Sequence, residues 1–247
     1  MPPASIKGSA REKLILALDV PSLDDALALV KELKEYVGVF KVGLELYARF
    51  GTRLLEAMKA QDVPTFFDCK FLDIPNTVAR ASESLVEHEL AMFNVHAIGG
   101  ATMLKTTVEA TKKAAAAKGV EPPKILAVTV LTSVSNQVLK EELAIDNAVD
   151  ELVVRLAWLA QHSGVDGVVA SAQEVGAIRE ACGKDFLIIT PGIRPQWAGA
   201  DDQARIVTPA DAMRNGSDYI VVGRPITRAS NRRDAAKRIV DEMESAL

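Results

Sequence analysis

Cysteine is scarce in this sequence. There are two in 247 residues, Cys69 and Cys182. Two cannot form a disulfide framework, and no C-x-x-C pair offers a zinc site. Nothing else in the chain resembles a metal-binding cluster. An excess of positive charge is missing too: the net charge is −4, so no global basic field points to nucleic acid. The opening residues, MPPASIKGSAREK, are polar and hold no apolar signal core. No apolar run approaches the length of a membrane span. Linkers, low-complexity tracts and internal repeats are also absent. These absences lead us to expect a soluble protein of a reducing compartment, the cytoplasm. What is present is a globular composition, 49% hydrophobic and 25% charged, which excludes a disordered chain. The length suits one large α/β domain or two small ones, with a substantial core.

Short apolar runs recur at 14–20, 37–43, 65–71, 92–97, 125–132, 167–172, 186–193 and 219–226. They are nearly continuous in apolar residues, as expected of strands covered on both faces. Helix-like segments lie between them. The spacing predicts helices over 23–36, 80–89, 104–118 and 149–161, with Ser22 capping the first. Eight strand–helix units of about 31 residues each suit a closed (β/α)8 TIM barrel. We expect a single domain spanning 1–247, with 1–12 an irregular N-terminal segment. An open doubly wound sheet usually shows a glycine-rich first turn; here that turn reads ALDVPSLDD. The longest interruptions, 132–148 and 194–209, read as loops after strands five and seven.

Chemistry in such barrels gathers at the C-terminal ends of the strands. There the expected strands place Asp19 on the first, Lys41 on the second, Asp68 and Lys70 on the third, His96 on the fourth and Thr132 on the fifth. Ser171 ends the sixth, without His or Asp partners for nucleophilic catalysis. Arg194 follows the seventh and Gly223-Arg224 the eighth. On strand three, alternation puts Phe66, Asp68 and Lys70 on one face and Phe67, Cys69 and Phe71 on the other. The apolar set suits the helix layer, so Asp68 and Lys70 point inward, where charge is costly unless paired. A structural ion pair sealing the barrel is one explanation; four charges on three neighbouring strands favour function. Loops after strands seven and eight often hold phosphate, and Arg194 and Arg224 offer forked donors for it. His96 reads as a structural group, and Cys69 as core packing.

The run FFDCKFLDIPNT, residues 66–77, resembles the signature of the orotidine 5′-monophosphate decarboxylase family. The full pattern DxKxxDIPNT is specific; the shorter DxK with a later Asp also occurs in related phosphosugar decarboxylases and synthases. LALDV, FKVGLELY, VTVLTS, TPGIRP and VVGRPIT resemble the same family, especially its bacterial branch. Leu72 and Cys69 depart from it, where His and a larger aliphatic residue are common.

The resemblance implies decarboxylation of orotidine 5′-phosphate to uridine 5′-phosphate and CO2, without a cofactor or metal. It implies that Asp19 and Lys41 contact the ribose and that Asp68 lies beside the departing carboxylate. Lys70 would deliver a proton to pyrimidine C6. Thr132 or Ser133 would face the base, and Arg194, Gln203, Gly223 and Arg224 would bind at or near the phosphate. The segment after Arg194, containing Gln203, would act as a lid. Asp73 and Thr77 would reach the other active site of a homodimer. The chemistry suits these residue types. Loss of CO2 leaves charge at C6 that the ring delocalises poorly, and a fixed ammonium both stabilises it and quenches it. Two alternatives stand beside this one. The first is a Mg2+-dependent phosphosugar decarboxylase or synthase. The second is a non-catalytic barrel that binds a phosphorylated ligand.

Overall fold

A computed structural model of the chain describes residues 8–198 and 207–247. All eight expected strands are present: β1 Leu14–Ala17, β2 Val39–Gly43, β3 Thr65–Phe71, β4 Met92–His96, β5 Lys124–Val128, β6 Gly167–Val169, β7 Leu187–Thr190 and β8 Tyr219–Val222. They close in sequence order into a barrel, and the pairs β1–β2, β1–β8, β2–β3, β5–β6 and β6–β7 are parallel. The helices are α1 Leu23–Leu33, α2 Leu44–Phe50, α3 Thr52–Lys59, α4 Pro75–Leu85, α5 Gly100–Lys118, α6 Val149–His162, α7 Val175–Cys182, α8 Pro209–Arg214, α9 Arg224–Thr227 and α10 Arg232–Glu244. This is the expected (β/α)8 architecture.

Contacts gather into two compact units. One comprises Met1–Cys69, Leu90–Met92 and Thr190–Leu247; the other comprises Lys70–Glu89 and Phe93–Ile189. In the first, β1 is buried along its whole length between β2 and β8. The residues before β1 are not wholly irregular: Ala10–Lys13 form a 3-10 turn. Gly38 lies against that turn so closely that a Cβ there would stand 2.3 Å from the Glu12 carbonyl oxygen. Helix starts are set locally. The side chains of Ser22, Thr208 and Asn231 each accept an N–H at the first turn of α1, α8 and α10, satisfying donors the helix cannot.

In the second unit, α4 packs on α5. The buried hydroxyls of Ser82, Thr107 and Thr111 each donate to the carbonyl four residues back, at 2.8 Å, so small polar residues enter that contact without an unmet donor. Helix α4 begins at Pro75, five residues before the expected start at 80. Proline is suited to the first helical position because its missing N–H has no partner there anyway. The DIPNT run is thus the joint between β3 and α4.

Most strands are shorter than their apolar runs. Strand β1 stops at Ala17 instead of continuing to 20, β5 at Val128 instead of 132, β6 at Val169, β7 at Thr190 and β8 at Val222. Leu18, Ala170 and Ala172 lie beyond these ends yet remain buried. Hydrophobicity tracks burial, and burial continues past the last ladder hydrogen bond. The expected loop 132–148 contains a single π-helical turn, Val138–Glu142. Among the described residues, no helix is long and apolar enough to cross a membrane.

Candidate active site

Register builds the first cluster. Ala17 of β1 pairs with Lys41 of β2, and Gly43 of β2 pairs with Asp68 of β3. Lys41 therefore sits two residues below Asp68 on the adjacent strand, within reach of its long stem. Its Nζ lies 3.0 Å from Asp68 Oδ2 and 3.5 Å from Asp19 Oδ1. Gly43 lies beside this contact: a Cβ there would stand 3.5 Å from Lys41 Nζ, at ordinary van der Waals distance. Lys41 is 9% exposed. Burial disfavours its charge, but Asp68 and then Asp19 outweigh that and hold its pKa above the ordinary lysine value. Asp19 stands two residues past the end of β1 and remains largely exposed.

Beside this cluster lies the end of β8. A Cβ on Gly223 would be 3.5 Å from Ala17 Cβ and 3.9 Å from Asp19 Oδ2, so the backbone there runs close to the Asp19 carboxylate. Arg224 follows as the first residue of α9. After β7, Ile193 bridges Val207, and the Arg194 N–H donates to the Val207 carbonyl at 3.0 Å. Arg194 is buried, at 3% exposed. An arginine taken that far from water needs anionic or hydrogen-bonding company. Gln203 lies outside the described residues.

Lys70 is two residues beyond Asp68 on β3, and its backbone is unusual. Its φ is 53°, in the left-handed region, which costs a residue with a Cβ on the order of 1–3 kcal/mol. Simple strand alternation therefore fails at this residue. The Lys70 N–H donates to Asn94 Oδ1 at 2.8 Å. His96 lies two residues beyond Asn94 on β4. Burial, and then the charge of Lys70, push its pKa below the ordinary histidine value. Asn94 did not stand out in the sequence, and His96 was read there as a structural group. The signal was there: NVHA puts polar groups at alternate positions of an otherwise apolar strand.

The other expected residues fall as follows. Asp73 and Thr77 are exposed, and Asp73 Oδ1 accepts the N–H of Ile74 at 2.6 Å. Thr132 and Ser133 do not end strand five. They form an exposed turn four and five residues past it. The ladder gives out at Thr129, whose N–H and hydroxyl both reach the Val169 carbonyl, and the chain then turns away. Phe67 meets Tyr47 of α2 edge-on, with ring centroids 4.9 Å apart, as expected for the helix-facing side of β3. Cys69 is half-buried, not fully packed. Among the described residues no three His, Cys, Asp or Glu side chains gather as a metal site.

A closed parallel barrel with charged side chains at the ends of its strands has the form of a (β/α)8 enzyme. The comparisons with known proteins narrow that class. The profile of the orotidine 5′-phosphate decarboxylase / HUMPS family matches residues 12–239. The orotidine 5′-phosphate decarboxylase of Heliobacterium modesticaldum is 50% identical over 96% of this chain and 98% of its own. That of Syntrophomonas wolfei is 48% identical over 95% and 99%. The crystal structure of orotidine 5′-phosphate decarboxylase from Lactobacillus acidophilus superposes with a TM-score of 0.83 at 38% identity, covering 93% of this chain and 98% of that one. The chain belongs to the orotidine 5′-phosphate decarboxylase / HUMPS family.

Proposed function

We propose that this chain decarboxylates orotidine 5′-phosphate to uridine 5′-phosphate and CO2 in pyrimidine biosynthesis, in the cytoplasm and without a cofactor. The observation that carries the reading is the buried Lys41 held between Asp68 and Asp19, with Lys70 two residues further along β3. Relatives half identical over nearly the whole chain bear the decarboxylase name, which favours it over the metal-dependent phosphosugar reading.

The roles follow from charge. Carbon dioxide leaves with the C6–carboxylate bond broken and its electron pair left on C6. The Lys70 ammonium stabilises that pair and then gives it a proton, so C6 ends as C–H and Lys70 as a neutral amine to be reprotonated from water. Asp68 faces the departing carboxylate. Asp19 and Lys41 bind the ribose hydroxyls, and Lys41 balances the acids. Thr132 or Ser133 contacts the base. Arg194, Gln203, Gly223 and Arg224 take the phosphate, whose binding energy orients the pyrimidine. Asp73 and Thr77, exposed on one chain, complete the site of the second subunit in a homodimer. Exposed Leu72 and Ile74 beside Asp73, at 50% and 67%, support a contact there.

The test is incubation of the purified protein with orotidine 5′-monophosphate in EDTA, following the ultraviolet change, with Lys70→Ala alongside. Conversion that EDTA spares and Lys70→Ala abolishes is the expected result. No conversion by a folded, dimeric wild type overturns the reading, and phosphosugars with Mg2+ are then the substrates to try.

A further inference from the structure

We infer that Asn94 is a positioning residue that fixes the backbone bend at Lys70 and so aims its ammonium. Among the described residues, four that are not glycine have positive φ: Asp62, Lys70, Glu89 and Ala144. Asp62, Glu89 and Ala144 lie in turns or loops. Lys70 lies inside a strand, where a left-handed residue is costly and interrupts the pleat. Such a conformation persists only where surrounding groups over-determine it.

Asn94 supplies a group of that kind. It comes from the next strand, 24 residues away in sequence, and its Oδ1 accepts the Lys70 N–H at 2.8 Å. It is 1% exposed, among Met92, Phe93 and Val95, which are buried as well. A buried amide in an apolar strand is expensive unless bonded, and here its oxygen accepts from the backbone of the left-handed residue itself. The chemistry also fixes the orientation of the amide, because an N–H donor requires its oxygen and not its nitrogen.

The consequence reaches the ammonium through the stem. The direction of the Cα–Cβ bond follows the backbone dihedrals, so relaxing φ from the left-handed to the extended region swings a four-carbon side chain away from its target. A misplacement of about 1 Å at a reacting group costs roughly a hundredfold in rate. His96, on the same face of β4 as Asn94, feels the charge of Lys70, which agrees with the bend turning the ammonium toward that strand.

The inference rests on the proton-delivery reading of Lys70, and the test separates the two. The first readout is hydrogen exchange at the Lys70 amide in the wild type, Asn94→Ala and Asn94→Asp, which needs no turnover. The second is kcat and KM for orotidine 5′-phosphate, with deuterium incorporation at C6 of uridine 5′-phosphate in D2O. We expect Asn94→Ala to lose protection of the Lys70 amide, to lower kcat and C6 exchange about a hundredfold, and to leave KM within about threefold. Asn94→Asp keeps the shape and an acceptor oxygen, and recovers part of both readouts; it also serves if Asn94→Ala does not fold. Full retention of Lys70 amide protection in Asn94→Ala, or kcat within about threefold of wild type in that variant, overturns the inference. A rise in KM matching the fall in kcat overturns it too, because general loosening of the site then explains the loss. A wild type that does not decarboxylate at all overturns the proposed function, while the amide readout still decides whether Asn94 holds the bend.

Discussion

Removing Asp68 should expose how much of the fold's stability is committed to the charged cluster. In Asp68→Asn the shape is kept and the charge is lost. Lys41 then has Asp19 alone, 3.5 Å away and 67% exposed by side chain. At an effective dielectric of 20, attraction across the 3.0 Å pair is roughly 5–6 kcal/mol before desolvation is subtracted. The exposed Asp19, in a medium close to water, supplies only about 1 kcal/mol. Removing one partner of a buried pair typically costs about 3–5 kcal/mol; because Asp19 remains, we expect the lower end, about 3 kcal/mol. That corresponds to a fall of roughly 6–12 °C in Tm for a chain of this size. The pH dependence is the sharper part. The Lys41 pKa is raised in the folded chain, so its contribution is complete below the unfolded value of about 10.4 and is lost as pH rises through the folded pKa. Without Asp68, burial opposes Asp19 alone and the folded pKa falls. The deficit of the variant should therefore be full at about pH 8 and shrink as pH passes about 10.4. Urea unfolding of both proteins across that range measures it. A deficit under about 1 kcal/mol at pH 8, or one that does not change with pH, refutes the reasoning.

Three further outcomes test other parts of the structure. Gly167→Ala puts a Cβ 2.4 Å from both the Leu187 Cβ and its carbonyl oxygen, so a thermal melt should show a loss of about 2–3 kcal/mol; Gly119→Ala, at φ 67° with nothing within 4 Å, should lose only about 1 kcal/mol. The His96 pKa is lowered in the folded chain, so its contribution is present above about pH 6.5 and is lost as pH falls through the folded pKa; His96→Gln should flatten the stability profile on that acid side in urea unfolding. Arg238 of α10 lies over the ring of Trp197, 4.3 Å from its centroid, so Arg238→Ala should shift tryptophan emission to the red and cost no more than about 1 kcal/mol.

How much of this was legible in the sequence depends on which contacts set each feature. The barrel was legible because each strand's apolar run reports burial on both faces, and burial is a local property of the residue types. Strand ends were not, because Leu18, Ala170 and Ala172 stay buried after the ladder stops. For the same reason Thr132 was placed on a strand that ends at Val128. Asp19, Lys41 and Asp68 could be grouped because parallel strands in sequence order put consecutive C-terminal ends side by side, and no other topology was needed to bring them within 3.5 Å. Lys70 shows where such reading stops. Alternation assumes extended φ at every residue, and the motif DCKF contains no glycine to warn otherwise. The bend is fixed from outside the strand, by an amide 24 residues away. A left-handed lysine is unfavourable on its own dihedrals and is held in place by a tertiary contact. Only an alternating polar pair on another strand, Asn94 and His96, carried any trace of it. A residue whose local preference and native conformation disagree is where a site is expected, and here the disagreement falls on the lysine that the proposed chemistry requires.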